Sequence, residues 1–95
     1  MRIDDVMWLP EFEEKLDAKH DVKRFEVEEV LFQQSSIRFI EHGHQPGEDL
    51  YAAYGQTFAG RYIVVFFVLK VDRSALVISA RNMDPKERRR YGKRK

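Results

Sequence analysis

The sequence predicts an α+β domain. Two N-terminal helices pack on one face of a twisted antiparallel β-sheet, and a C-terminal helix closes the chain. Three observations carry this prediction. Tyr62 to Leu69 is an unbroken run of eight apolar or aromatic residues. Its length and its β-branched and aromatic content describe a strand covered on both faces rather than a helix. A second apolar run, Ala75 to Ala80, follows the short polar stretch from Val71 to Ser74, so the two runs pair as an antiparallel hairpin. Asp84, Pro85 and Glu87 then mark a helix start: an N-cap, a proline at the first helical position, and the far member of a capping box.

The remaining elements follow in order. Ile3 to Trp8 reads as a short first strand ending at Leu9-Pro10. From Pro10 to Lys19, Leu9, Phe12 and Leu16 recur near helical spacing, with Glu11, Glu13, Glu14 and Asp17 outside. Lys19-His20-Asp21 is the joint to a second helix, about Arg24 to Gln33. That helix is expected to bury Phe25, Val27, Val30 and Leu31, and its N-cap is poor because Lys23 offers no acceptor. Ser36 to His42 alternates as a strand, 43–49 is a Gly/Pro loop, Leu50 to Phe58 alternates again, and Ala59-Gly60 turns the chain into Arg61. The order is β-α-α-β-β-β-β-α. Helices gathered ahead of consecutive strands place both on one face of the sheet. The chain reads as a single domain over residues 1–95, with 93–95 a frayed basic tail.

Composition narrows the function classes. The chain has no cysteine, which removes disulfides and thiolate metal sites and suits a reducing compartment. No apolar stretch approaches a membrane span and the N-terminus has no signal-peptide pattern, so the protein is read as soluble and cytoplasmic. The net charge of +1 hides an asymmetry. Residues 1–49 hold six Lys/Arg and thirteen Asp/Glu, net −7, and residues 50–95 hold eleven and three, net +8. Such a bipolar chain has a basic working face, although amphipathic helices with acidic outer faces account for the first half equally well.

Motifs for nucleotide cofactors, the P-loop and serine hydrolases are absent, and no cofactor is implied. His42-Gly43-His44, near Glu48 and Asp49, is either a metal pair or a surface loop; a third ligand on regular structure is missing, so no metal site is assigned. The helix carboxylates lie on solvated faces. What remains is a set of cations and polar aromatics: Lys19, His20, Arg61, Arg81, Arg88, Arg89, Tyr54 and Tyr91. Guanidinium forks take phosphate oxygens in pairs, so this set suits a phosphodiester. Metal-free RNA cleavage needs a base for the ribose 2′-OH, a cation for the phosphorane and an acid for the departing 5′-oxygen. His20 suits base or acid, the arginines suit the cation, and Tyr91 or Tyr54 stacks a base or donates a proton. Each residue also has a plainer role. Arg81 can cap the sheet edge or pair with Glu87, and His20 can cap the end of the first helix. Arg61 is equally at home as a solvated residue after a turn, and Tyr91 can pack on the sheet. Arg88 and Arg89 lie about 100° apart on a helix, which points one at the site and the other away.

The stretch ISARNMDPKERRRYGKR resembles the C-terminal signature of the BrnT-type toxins, and GQTFAGRYIVVFF is similar to that family's strand–turn–strand. Trp8, Pro10, Lys19, His20 and Val22 fall in register with its N-terminal pattern. The resemblance implies a RelE-like fold and a ribonuclease toxin of a type II toxin–antitoxin pair that cleaves RNA and slows translation. It also implies a BrnA-like DNA-binding antitoxin as partner, in a toxin–antitoxin hetero-oligomer. The family's basic residues carry over to Lys19, His20, Arg61, Arg81, Arg88 and Arg89. Taken with the reading of the residues themselves, which adds Tyr91, Tyr54 and Arg38, the assignment is Lys19, His20, Arg61, Arg81 and Tyr91 as catalytic, and Arg88, Arg89, Arg38 and Tyr54 as RNA-binding. Five positions depart from the pattern: Leu9, Phe12, Leu16, Asp21 in place of a Gly, and Leu50 in place of an Arg that Arg38 or Arg61 would replace. Two other classes fit the same residues: a non-catalytic nucleic-acid-binding module, and a protein whose arginines bind only an acidic partner segment.

Overall fold

The computed structural model describes residues 1–33 and 35–94, with the side chain of Arg94 left out. Its elements are β1 (Asp5–Met7), α1 (Pro10–His20), α2 (Arg24–Phe32), β2 (Ser36–Glu41), β3 (Asp49–Gln56), β4 (Tyr62–Leu69), β5 (Ser74–Asn82) and α3 (Pro85–Arg94). This is the expected order. Strands β2 to β5 form an antiparallel meander, because each is joined to the next by a short connection. The sheet as a whole is mixed, however. β1 lies beside β5 and runs parallel to it, Val6 opposite Ala75. A three-residue strand with no hairpin turn gives the sequence nothing from which to read its direction. Of the tail expected to fray, Lys93 and Arg94 continue α3, and Lys95 lies outside the described residues.

Local chemistry sets the helix ends. Pro10 opens α1, and Asp21 closes it with a left-handed φ of 52°, which lets the Val22 N–H return to the Leu16 carbonyl at 3.1 Å. Lys23 cannot accept a hydrogen bond, so Glu26 supplies the cap of α2 by accepting from the Lys23 N–H at 3.0 Å. At α3 the capping box is complete. Glu87 N–H donates to Asp84 Oδ1 at 2.7 Å and Asp84 N–H donates to Glu87 Oε1 at 2.9 Å.

The main core fills one face of the sheet. Leu16, Val22, Val27, Val30 and Leu31 from the helical layer bury against Ala53, Ile63, Val65, Phe67, Ala75, Val77 and Ala80. Helix α2 sits so close to β3 that a side chain at Gly55 would meet Val30 Cγ1 at 2.9 Å. Phe25, expected in this core, is 60% exposed. The buried stripe of α2 is Val27, Val30 and Leu31, and a residue two before Val27 points about 200° away from it. On the other face α3 covers only one end of the sheet. Tyr91 and Met83 pack there on Ala52 and Val64, flanked by Tyr54, Tyr62 and Phe66. The rest of that face is left uncovered by helix. Among the described residues no helix is long and apolar enough to cross a membrane.

Candidate active site

Strand register builds the uncovered face row by row. Residues directly opposite in an antiparallel pair share a face. One row is Ser36, Tyr54, Val64 and Arg81; the next is Arg38, Ala52, Phe66 and Ser79. Arg38, Tyr54 and Arg81 therefore look out from the same side, with Arg38 and Arg81 three strands, or roughly 14 Å, apart. Ala52 and Val64, within these rows, are buried beneath Met83 and Tyr91. Leu50, with Val68 and Leu76, forms a third row on this side.

Arg81 is the best-defined group. Its Nη1 and Nη2 donate to Glu87 Oε1 and Oε2 at 2.8 and 3.1 Å, and Nη1 also reaches the Asn82 carbonyl at 3.1 Å. Its guanidinium stands 5.5 Å from the centre of the Phe66 ring. Those bonds use the end of the guanidinium fork. The Nε and Nη2 hydrogens along its side have no partner among the described residues, and a guanidinium carries five N–H donors in all. The Glu87 hydrogen bonds raise the pKa of Arg81 further, and the Arg81 guanidinium holds the Glu87 carboxyl below its ordinary value. Both groups therefore stay charged across the physiological range.

Helix α3 adds two more arginines. Arg88 lies over the Tyr62 ring, 4.2 Å from its centre, and Tyr62 meets Tyr91 edge-on at 6.0 Å. Arg88 and Arg89 both line a shallow groove with Tyr62, Pro85 and Tyr91. Arg88 reaches the Tyr62 ring, and both arginines are exposed. Among the described residues, neither these two arginines nor Arg38 pairs with a carboxylate. Tyr91 is buried, so its ring supports the groove rather than standing in it.

The other predicted residues lie elsewhere. Lys19 and His20 are exposed at the end of α1, in the helical layer. Arg61 ties that end to the sheet. Its Nη2 donates to the His20 carbonyl at 2.9 Å, its Nη1 to the Asp21 carbonyl and to Glu26 Oε1 at 3.0 Å, and its Nε to Asn82 Oδ1 at 2.8 Å. Four of its five N–H donors are occupied, and it forms a largely buried ion pair with Glu26. The predicted set thus divides. Arg38, Tyr54, Arg81, Arg88 and Arg89 surround one face, and Lys19 and His20 cluster with Arg61 at the end of the helical layer. A second groove, lined by Arg61, Tyr62, Asn82, Met83 and Arg88, connects the two. His42 lies 3.3 Å from Asp49 Oδ1, and among the described residues no group of three or more His, Asp or Glu is placed to hold a metal ion.

Residues 8–87 match the family described as the ribonuclease toxin BrnT of type II toxin–antitoxin systems. The chain belongs to that family. Its fold is similar to that of the ribonuclease toxin BrnT of Brucella abortus, with a TM-score of 0.61 and 21% sequence identity, over 84% of this chain and 96% of that one. At that identity the likeness speaks for the fold. No curated protein matches the chain. Membership of a type II family implies an antitoxin partner.

Reading the sequence missed the residues that hold the arginines in place. Tyr62 was hidden inside an apolar run, although a tyrosine opening a doubly covered strand signals a ring with one wet end. Glu26 and Asn82 carried no signal, because their bonds to Arg61 span 35 and 21 positions.

Proposed function

We propose that this protein is the toxin of a type II pair and acts as a metal-independent endoribonuclease of RelE-like type, with RNA seated across the uncovered sheet face. The observation that carries the reading is Arg81, whose fork end is anchored on Glu87 while its Nε/Nη2 side remains available. A side-on guanidinium matches two phosphate oxygens. Pre-anchored, it stabilises the charge that develops on the phosphorane without reorganising during reaction. Arg38, Arg88 and Arg89 would hold flanking phosphates, and Tyr54 would stack a base.

In the proposed reaction the ribose 2′-oxygen attacks phosphorus and the P–O5′ bond breaks. The products are a 2′,3′-cyclic phosphate and a free 5′-hydroxyl. A base takes the 2′-OH proton and an acid returns one to the 5′-oxygen; Tyr54, on the face of Arg81, is the group offered for a proton transfer, and His20, in the other cluster, is given no step there. Lys19 lies beside His20, and Tyr91 acts through the groove it supports. Arg61 holds the α1 end in register with Asn82, next to Arg81. The partner is proposed to be a BrnA-like DNA-binding antitoxin, in a cytoplasmic hetero-oligomer formed by this single domain. Incubation with a structured RNA in EDTA tests the reading. Fragments ending in cyclic or 3′-phosphate support it; binding without cleavage would identify a binding module instead.

A further inference from the structure

Phe25, Phe32 and Phe58 are 60%, 57% and 81% exposed, and they line one shallow groove with Glu28, Glu29 and Gln33. A single exposed phenylalanine is ordinary, but three converging on one groove mark an interaction surface. We infer that this groove is the seat of an antitoxin segment bearing aliphatic side chains at helical spacing, flanked by Lys or Arg.

The groove is held ready for an occupant. Phe25 and Phe32 are seven residues apart on α2, on one stripe. Phe58 projects from the β3–β4 turn, and its N–H donates to Glu29 Oε1 at 2.9 Å. Gly60, with a φ of 96°, closes that turn through a 2.9 Å bond to the Thr57 carbonyl. The backbone that carries Phe58 is thus set before binding, so covering the ring orders only its own side chain.

Charge selects the occupant. Glu28 and Glu29 border the groove, in the half of the chain that carries net −7; Glu28 also meets Arg24 at 3.5 Å, and Glu29 accepts only a neutral N–H and keeps its full charge. A symmetric contact between two copies would bring these glutamates against their own equivalents. A basic, apolar segment meets them favourably and docks as a helix in a groove. The surface belongs to the helical layer, opposite the face of Arg81, so occupancy here does not itself fill the proposed RNA site. The inference rests on the family's antitoxin and not on the nuclease reading.

The test is calorimetric titration of this protein with its purified cognate antitoxin. Phe25→Ser and Phe58→Ser should each weaken binding by roughly tenfold or more. Glu28→Lys should weaken it too, with a smaller salt dependence. Because Phe25 and Phe58 are exposed, the melting temperatures of those two variants should match that of the unmodified protein. Affinities within twofold of the unmodified protein, or no binding by that protein at all, would overturn the inference. So would sedimentation showing a dimer that Phe58→Ser dissociates, since a second copy would then be the occupant. RNA cleavage by the free variants is measured separately, so failure of either reading shows on its own.

Discussion

Arg61→Ala should cost stability before it costs chemistry. The substitution removes four hydrogen bonds and leaves Glu26, whose side chain is 12% exposed, without its cation. Two of the lost acceptors are carbonyls at the end of α1, and both can turn toward water. The larger loss is the Glu26 carboxylate, which stays near the core and still caps α2. Removing one partner of such a pair, discounted for the 25% exposure of Arg61, comes to about 2–4 kcal/mol. For a domain of this size each kcal/mol moves the midpoint by ~4–8 °C, so the melting temperature should fall by roughly 10–25 °C. Arg61→Lys keeps a charge near Glu26 but loses the fork, and should recover only part of the deficit. Urea denaturation followed by circular dichroism measures the loss. Cleavage assayed well below the melting temperature should stay within about tenfold of the unmodified protein, a barrier change of at most ~1.4 kcal/mol. Unchanged stability with abolished cleavage would instead place Arg61 directly on RNA.

Further predictions concern single residues. Glu87→Gln keeps the shape of the capping box but loses the charge on Arg81, and should destabilise the protein by about 1 kcal/mol at neutral pH. Arg81 depresses the Glu87 pKa, so this contribution is complete above the ordinary value of 4.5 and lost as pH falls through the lower folded-state value; urea titrations of both proteins should converge only in acid. Asp21 occupies the left-handed region, where glycine carries no side-chain strain, so Asp21→Gly should raise stability by about 0.5–1 kcal/mol in the same assay. Leu50→Arg places a fifth cation on the face, on its Arg38 side; RNA affinity should rise, and the slope of log K against log salt should steepen by about 0.7.

Much of the fold was readable because its signals are local. The Tyr62–Leu69 run, the Asp84–Glu87 capping box and the proline at α1 each follow from a few adjacent residues. Features set by distant partners were not readable. The parallel pairing of β1 depends on a strand about seventy positions later. The exposure of Phe25 depends on which stripe of α2 meets the sheet, and in a nine-residue helix with apolar residues on more than one side the pattern allows more than one answer. The candidate site was readable as composition, since every cation except Arg38 came from the basic half or a recognisable motif. Its division into two clusters was not, because only the sheet register places Arg38 and Tyr54 with Arg81 and puts Lys19 and His20 in the other layer. The plainer role considered for Arg81, pairing with Glu87, exists in the fold; that pairing presents the rest of the guanidinium rather than removing it.

The central claim is that Arg81 stabilises the transition state of RNA cleavage. Single-turnover cleavage in EDTA by Arg81→Ala and Arg81→Lys tests it most directly, with circular dichroism on each variant to establish that it is folded. The account predicts a loss of about 10²–10³-fold for Arg81→Ala, with RNA affinity changed far less and only partial recovery in Arg81→Lys, whose ammonium lacks the side-on fork. Cleavage by folded Arg81→Ala at the unmodified rate would contradict it.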